Sequence, residues 1–354
     1  MYFKQALFTK IFLCIVIINF TISCNSSYFK TPYKFTEVDI TDVLIDSTLN
    51  IRTIEISGKI VYAASSLGEI YSFKENKSDI INVEQYSSFF DSIQYPNFRS
   101  MSVVENDVYA MTIGSPALLF KNGKVIYKET DDKVFYDSMD FWNKKEGLVV
   151  GDFMNGCISI LITRDGGNSW NKLACDKFKT PLANEGFFAA SDTNISIFEN
   201  KVWIGSGGIN SRVYFSSNKG QTWEIIDTPI IQGESTKGIY SIDFYDEKNG
   251  FAIGGDYTKP LENNSNKIST KDGGKTWSVV ADNQNPGYRS CVRYFPNNLG
   301  NSLVAIGFNG IDISNDKGNS WKKISNESFY TLRFLNDSVA YAAGKGKISK
   351  LLFR

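Results

Sequence analysis

Three of the eight arginines in this 354-residue chain fall at one phase of a recurring segment: Ile51-Arg52-Thr53, Phe98-Arg99-Ser100 and Tyr288-Arg289-Ser290. Tyr136-Asp137-Ser138 and Ile239-Tyr240-Ser241 share the frame, so the middle residue is polar each time. Guanidinium groups that converge on one opening bind carboxylate, sulfate or phosphate through paired N–H donors and keep their charge at any relevant pH. The same segments admit a second outcome, in which each arginine pairs with an acidic neighbour such as Asp137 or Asp192 and lines a wet channel. Two longer stretches carry further ligand candidates. Residues 205–212 (GSGGINSR) hold Arg212, and residues 254–267 (GGDYTKPLENNSNK) hold Asp256, Tyr257 and Glu262. Long loops on a rigid frame are where recognition concentrates. Glu185, Phe187 and Phe188 precede another repeat and are candidates for the same opening.

The composition removes several chemistries. The chain has no histidine, which excludes Ser-His-Asp and Cys-His nucleophile systems and His-ligated metals; an enzyme built here would rest on carboxylates, tyrosine or arginine. No dinucleotide fingerprint or metal-ligand cluster stands in the sequence, so neither cofactor nor metal is expected, and no catalytic residue is assigned. Lys plus Arg and Asp plus Glu are equal at 38, leaving no net field to draw the chain to nucleic acid.

Residues 1–23 read as a targeting segment, with Lys4 and Lys10 ahead of the short apolar run 11–20. Thr21-Ile22-Ser23-Cys24 resembles a bacterial lipobox, which implies lipidation of Cys24 and a tether over 24–33; a plain secretory signal is the alternative. In an exported chain disulfides are permitted. Cys157 and Cys175 lie almost symmetrically about a turn centred on Gly166, so a cross-strand disulfide is expected, the alternative being two buried thiols. Cys291 reads as a core thiol.

These residues need a frame, and the frame repeats. Small-residue-rich strand cores recur at 61–66, 108–114, 147–152, 202–208, 250–256, 303–310 and 339–346. Four octapeptides recur with them: TRDGGNSW (163–170), SSNKGQTW (216–223), TKDGGKTW (270–277) and SNDKGNSW (314–321). In each, Asp165, Asn218, Asp272 or Asp316 offers a side-chain oxygen to backbone N–H groups two or three residues on, closing an Asx-type turn. Gly167, Gly220, Gly274 and Gly318 supply positive φ, and Trp170, Trp223, Trp277 and Trp321 bring large apolar surfaces. The octapeptides resemble the Asp-box, or bacterial neuraminidase repeat, of β-propellers in sialidases and in photosystem II stability and assembly factors.

The resemblance and the core count together imply an all-β, seven-bladed β-propeller over 34–354, with six blades as the alternative. A strand near residues 35–40 is expected to complete the last blade and close the ring. The box turns should lie on the side opposite the binding mouth and be structural. The resemblance implies a monomeric binding or assembly scaffold, lipid-anchored at the bacterial cell envelope, for an envelope protein or glycan. A sialidase-like glycan hydrolase is the alternative, with Arg52, Arg99 and Arg289 as a carboxylate-binding triad and Tyr240 and Asp256 as further candidates.

Overall fold

The computed structural model describes residues 31–74, 80–85, 96–178 and 185–354. The targeting segment 1–23, Cys24 and most of the tether lie outside the described residues. Met1–Thr31 and Pro32–Arg354 separate into two units, and the fold described is that of the second. Every strand pairing in it is antiparallel, and most sheets are simple meanders such as Phe98–Val104, Asp107–Thr112, Ala117–Lys121 and Lys124–Glu129. The innermost strands neighbour one another round a central axis in chain order, and the last neighbours the first. The architecture is a β-propeller.

Hydrogen bonding gathers the strands into six sheets. The propeller is therefore six-bladed by its continuous sheets, and the expectation of seven separate blades is corrected. The source of the miscount is one strand. Val38–Ser57 runs unbroken for 20 residues, pairing along its first half with Lys345–Phe353 and along its second with Ile60–Ser65. The first and last sequence units share it and merge into one seven-stranded sheet. Counting cores, each of which marks a second strand, gives no sign that two units own a strand in common. This sheet also joins the two ends of the chain: Val38 faces Phe353, and Thr36 N–H and Glu37 N–H donate to the Arg354 carbonyl at 2.6 and 3.1 Å. Ahead of it, Asn298 and Asn315 clamp the backbone of Tyr33 and Phe35, whose ring stacks on Phe295 at 3.8 Å.

Burial follows strand position. Second and third strands such as Gly147–Met154 and Cys157–Thr163 are covered on both faces and read as continuous apolar runs, whereas outer strands such as Lys322–Ser325 have no fully buried residue. The four octapeptides share one geometry at the turns into those outer strands. Asp165 Oδ1 accepts the Ser169 amide at 2.9 Å, and Oδ2 the Ser169 hydroxyl at 2.7 Å. Asn218, Asp272 and Asp316 accept the amides of Thr222, Thr276 and Ser320. The reach is four residues, longer than the Asx turn expected, because two positive-φ residues intervene; a second bond of the same reach is closed two residues earlier by the Thr163, Ser216, Thr270 and Ser314 hydroxyls, which accept the glycine amides. The glycines are also contact points between sheets. A Cβ on Gly318 would stand 2.1 Å from the Phe251 ring, and one on Gly167 2.4 Å from Tyr109.

Cys157 and Cys175 are disulfide-bonded, with Cα atoms 5.5 Å apart. Cys175 sits in a short 3-10 turn beyond the outer strand Asn171–Lys172, so the bond ties that turn to the start of a third strand and does not bridge two paired strands. Cys291 is buried and free.

Candidate functional site

At the end of the ring away from the octapeptide turns, a cavity of about 710 Å³ opens. Its position follows from a repeated defect in the inner strands. Arg52, Arg99, Asp137 and Tyr240 are each the extra residue of a β-bulge: Ile51 faces Ser65 but Thr53 faces Ala64, and the same step recurs at Phe98/Ser100, Tyr136/Ser138 and Ile239/Ser241. A bulge turns one side chain out of the alternating pattern and re-aims it. Arg52, Arg99 and Tyr240 line the cavity as a result.

Arg289 does not join them. Cys291 faces Ile306 as Ser241 faces Ile253, so the bulge-equivalent position belongs to Ser290, and the sequence frame is off by one residue here. The Arg289 guanidinium turns into its own sheet and donates through Nε to Asp312 Oδ2 at 2.8 Å, in a pair that is almost fully buried. Arg212 is likewise buried, clasping Glu185 through Nε and Nη2. Asp256 caps Thr258 through Oδ1 at 2.9 Å and lies outside the cavity lining, while its neighbour Tyr257 is part of it.

The floor is a segment of chain that sequence reading did not single out as structural. Phe187, Phe188, Ala189 and Ala190 form its upper surface, and Ser191-Asp192-Thr193 beneath them plugs the axis. Asp192, at φ 57°, accepts the Thr53 hydroxyl at 2.7 Å, the Met101 amide at 3.0 Å and the Met139 amide at 3.1 Å, from three different inner strands. Ser191 donates to the Ser290 carbonyl and accepts Thr331, and Thr193 donates to Ser241. The mouth is thus a closed bowl. Asp192 was one expected partner for the arginines; its carboxylate is taken instead by these donors, and its carbonyl accepts Arg333 Nη2 at 2.9 Å. Among residues with a side chain, Asn and Asp tolerate such a left-handed backbone most readily.

The walls divide by chemistry. Aromatic rings supply most of the surface: Phe188 stacks flat on Tyr240 at 3.7 Å, Tyr288 meets Tyr240 edge-on at 4.7 Å, and Phe308 and Tyr330 complete the belt. Arg52 lies over the Tyr330 ring at 4.2 Å, with Nη1 donating to the Ala190 carbonyl at 3.3 Å and Nε without a partner. Among the described residues Arg99 donates only to Asn97, at 3.2 Å, and burial together with the nearby Arg52 charge pulls it down to about 10. Six other arginines, 164, 212, 289, 293, 333 and 354, each have a carboxylate within salt-bridge distance. Among the described residues, Arg52 and Arg99 are the two that do not, and both face the bowl.

Two acids stand behind Arg99. Asp152 lines the cavity, its Oδ1 accepting the Phe187 amide at 2.7 Å, and burial pushes its carboxyl up to about 6. Asp137 is wholly buried. The Ala189 amide and Arg99 favour its charged form, but neither oxygen accepts a hydrogen bond of ordinary geometry, and desolvation with the Asp152 charge raises it well above the usual carboxylate range. The Tyr240 hydroxyl donates to the Thr236 carbonyl at 2.8 Å. Tyr71, Tyr127 and Tyr136 bond carboxylates, and Tyr214 and Tyr109 lie beside Glu185 and Asp107, but none of these five rings is part of the bowl lining. The three-arginine, tyrosine-plus-acid constellation of a sialidase-like site is therefore not assembled by the described residues.

No protein-family description matches the sequence, and no characterised protein matches it by sequence. Comparison of folds does find relatives. The structure described as YCF48 bound to D1 peptide superposes with a TM-score of 0.60 at 12% identity, covering 91% of this chain and 98% of that one. The WD40 repeats of RRP9 give 0.63 at 9% identity over 92% and 99%, and U3-55K gives 0.61 at 9% over 89% and 98%. At such identities the likeness is one of fold, a distant structural relationship to β-propellers of the YCF48 type among others.

Proposed function

We propose that this chain is an exported, lipid-anchored binding scaffold that grips an extended segment of a partner protein at the cell envelope, holding an anionic group of that segment on Arg52 and Arg99. The observation that carries the reading is the pair of cavity-facing guanidinium groups that, among the described residues, have no carboxylate within salt-bridge distance, whereas the other six arginines are all ion-paired. Two like charges held side by side at the edge of a low-dielectric bowl repel one another, and an arriving anion relieves both. A like-folded propeller is described with a peptide bound, which favours a protein segment over a glycan as the occupant. The bowl's size also suits a short segment better than a broad protein face.

The test is direct binding of acetylated hexapeptides ending in either a free carboxylate or an amide, followed by fluorescence polarisation. The carboxylate form should bind at least tenfold more tightly. Arg52→Gln and Arg99→Gln should each remove most of that preference, since a charge-assisted pair contributes about 1.5–3 kcal/mol. Equal affinity for the two forms would refute the reading.

A further inference from the structure

The two sides of the bowl differ in kind. Arg52 and Arg99 stand on neighbouring inner strands, Val38–Ser57 and Phe98–Val104. Across the ring, the wall belongs to the inner strand Lys237–Phe244 and to the loop that follows Gly250–Asp256. On that wall Tyr257 lines the cavity yet is 48% exposed, standing edge-on to Tyr240 and Tyr288 with ring centroids 6.5 Å from each. Leu261, on the same loop, is 82% exposed, and Ile209, next to the cavity-lining Gly208, is 46% exposed.

Single exposed apolar residues are ordinary on a protein surface. Here three of them rise on the two loops that border one concave aromatic site, whereas the strand that carries Arg52 has one among its described residues, Ile45. Such an arrangement marks a contact surface, with a buried aromatic anchor as its energetic centre. The Tyr257 ring already has its inner edge packed against Tyr240 and Tyr288, so its outer face can be covered without ordering a mobile side chain.

Building on the anion reading above, we infer that the partner segment lies across the bowl in one direction, its anionic group on Arg52 and Arg99 and a large apolar side chain seated against Tyr257. The segment then carries both features, an acid and an aromatic or branched aliphatic residue set apart from it by the width of the bowl. Neither an acidic stretch nor an apolar stretch alone satisfies the site.

The full-length chain can be titrated with four acetylated hexapeptides on a glycine frame, with phenylalanine or serine at the second position and a free carboxylate or an amide at the end. The doubly matched peptide should bind best, and phenylalanine should improve affinity about tenfold over serine. Tyr257→Ala should collapse that tenfold ratio while leaving the carboxylate preference intact; because Tyr257 is half exposed, the fold should withstand the change. Arg99→Gln should do the converse. A carboxylate preference with no dependence on phenylalanine, or a phenylalanine effect that survives Tyr257→Ala, overturns the polarity inference and leaves the anion reading standing. Loss of both preferences in the wild-type protein overturns both.

Discussion

Asp152 holds the amide of Phe187 with one oxygen and borders the bowl, so its charge is felt by whatever the cavity contains. Its surroundings are Asp137 on the adjacent strand, Arg99 and Arg52 in the same cavity lining, and the Glu185–Arg212 pair beyond Gly186. The folded-state value is about 6, above that of a free aspartate, so the folded chain retains a proton that the unfolded chain releases. Its contribution therefore falls as pH rises from about 4 to about 6 and is constant above. Asp152→Asn should raise the melting temperature at pH 7.5, with the gain vanishing by pH 4. A gain that grows toward acid would contradict the assignment. An anion beside Arg99 favours protonation of the same group. The carboxylate peptide should bind several-fold more tightly at pH 5.5 than at pH 7.5 in the wild type, and the pH dependence should flatten in the asparagine variant. At this scale much of the site was legible, because a polar residue recurring before Thr or Ser marks the bulges at Arg52, Arg99, Asp137 and Tyr240. Arg289 was misplaced by one residue, since nothing in the residue types tells a bulged start from an unbulged one.

The octapeptide turns are autonomous units whose stability is local. Removing the side-chain oxygen in Asp272→Ala leaves the Thr276 amide and hydroxyl without their acceptor and should cost about 1–2 kcal/mol in a urea melt. Asn218→Asp should be close to neutral, because the Thr222 hydroxyl, which accepts from Asn218 Nδ2, can turn to donate its proton to a carboxylate, and the Thr222 amide keeps its acceptor. Gly318→Ala should be worse than either, combining φ 85° with a Cβ 2.1 Å from Phe251. The disulfide works at the same scale: it closes a separation of 18 residues, and Cys175→Ser should lower stability by about 3 kcal/mol. These elements could be read from the chain because Gly, Asp and Trp at fixed spacing encode the turn without help from distant residues. The shared strand Val38–Ser57 could not, as its double role rests on pairing with residues about three hundred positions away.

The whole molecule is organised by what fills its axis. The plug Ser191-Asp192-Thr193 ties inner strands from well-separated parts of the chain to one point and converts a through-channel into a bowl with a floor. Asp192→Ala would leave two buried amides and a hydroxyl unsatisfied, and a loss of about 3 kcal/mol or more is expected from the urea midpoint. No periodicity announces such a segment, because its partners at 53, 101, 139 and 331 become neighbours only when the ring closes. Ring closure also sets the octapeptide turns at one end and the bulged arginines at the other.

The central claim is that this bowl, and not the turn-bearing face, is where a partner segment is held. Photo-crosslinking decides it most directly: benzoylphenylalanine is placed at Phe308 on the bowl wall or at Ser278 beside an octapeptide turn, and each variant is irradiated with the labelled carboxylate hexapeptide. The account predicts a crosslink from position 308 that disappears in the Arg52→Gln/Arg99→Gln background, and none from position 278. Crosslinking from position 278, or from position 308 undiminished by the double substitution, would contradict it.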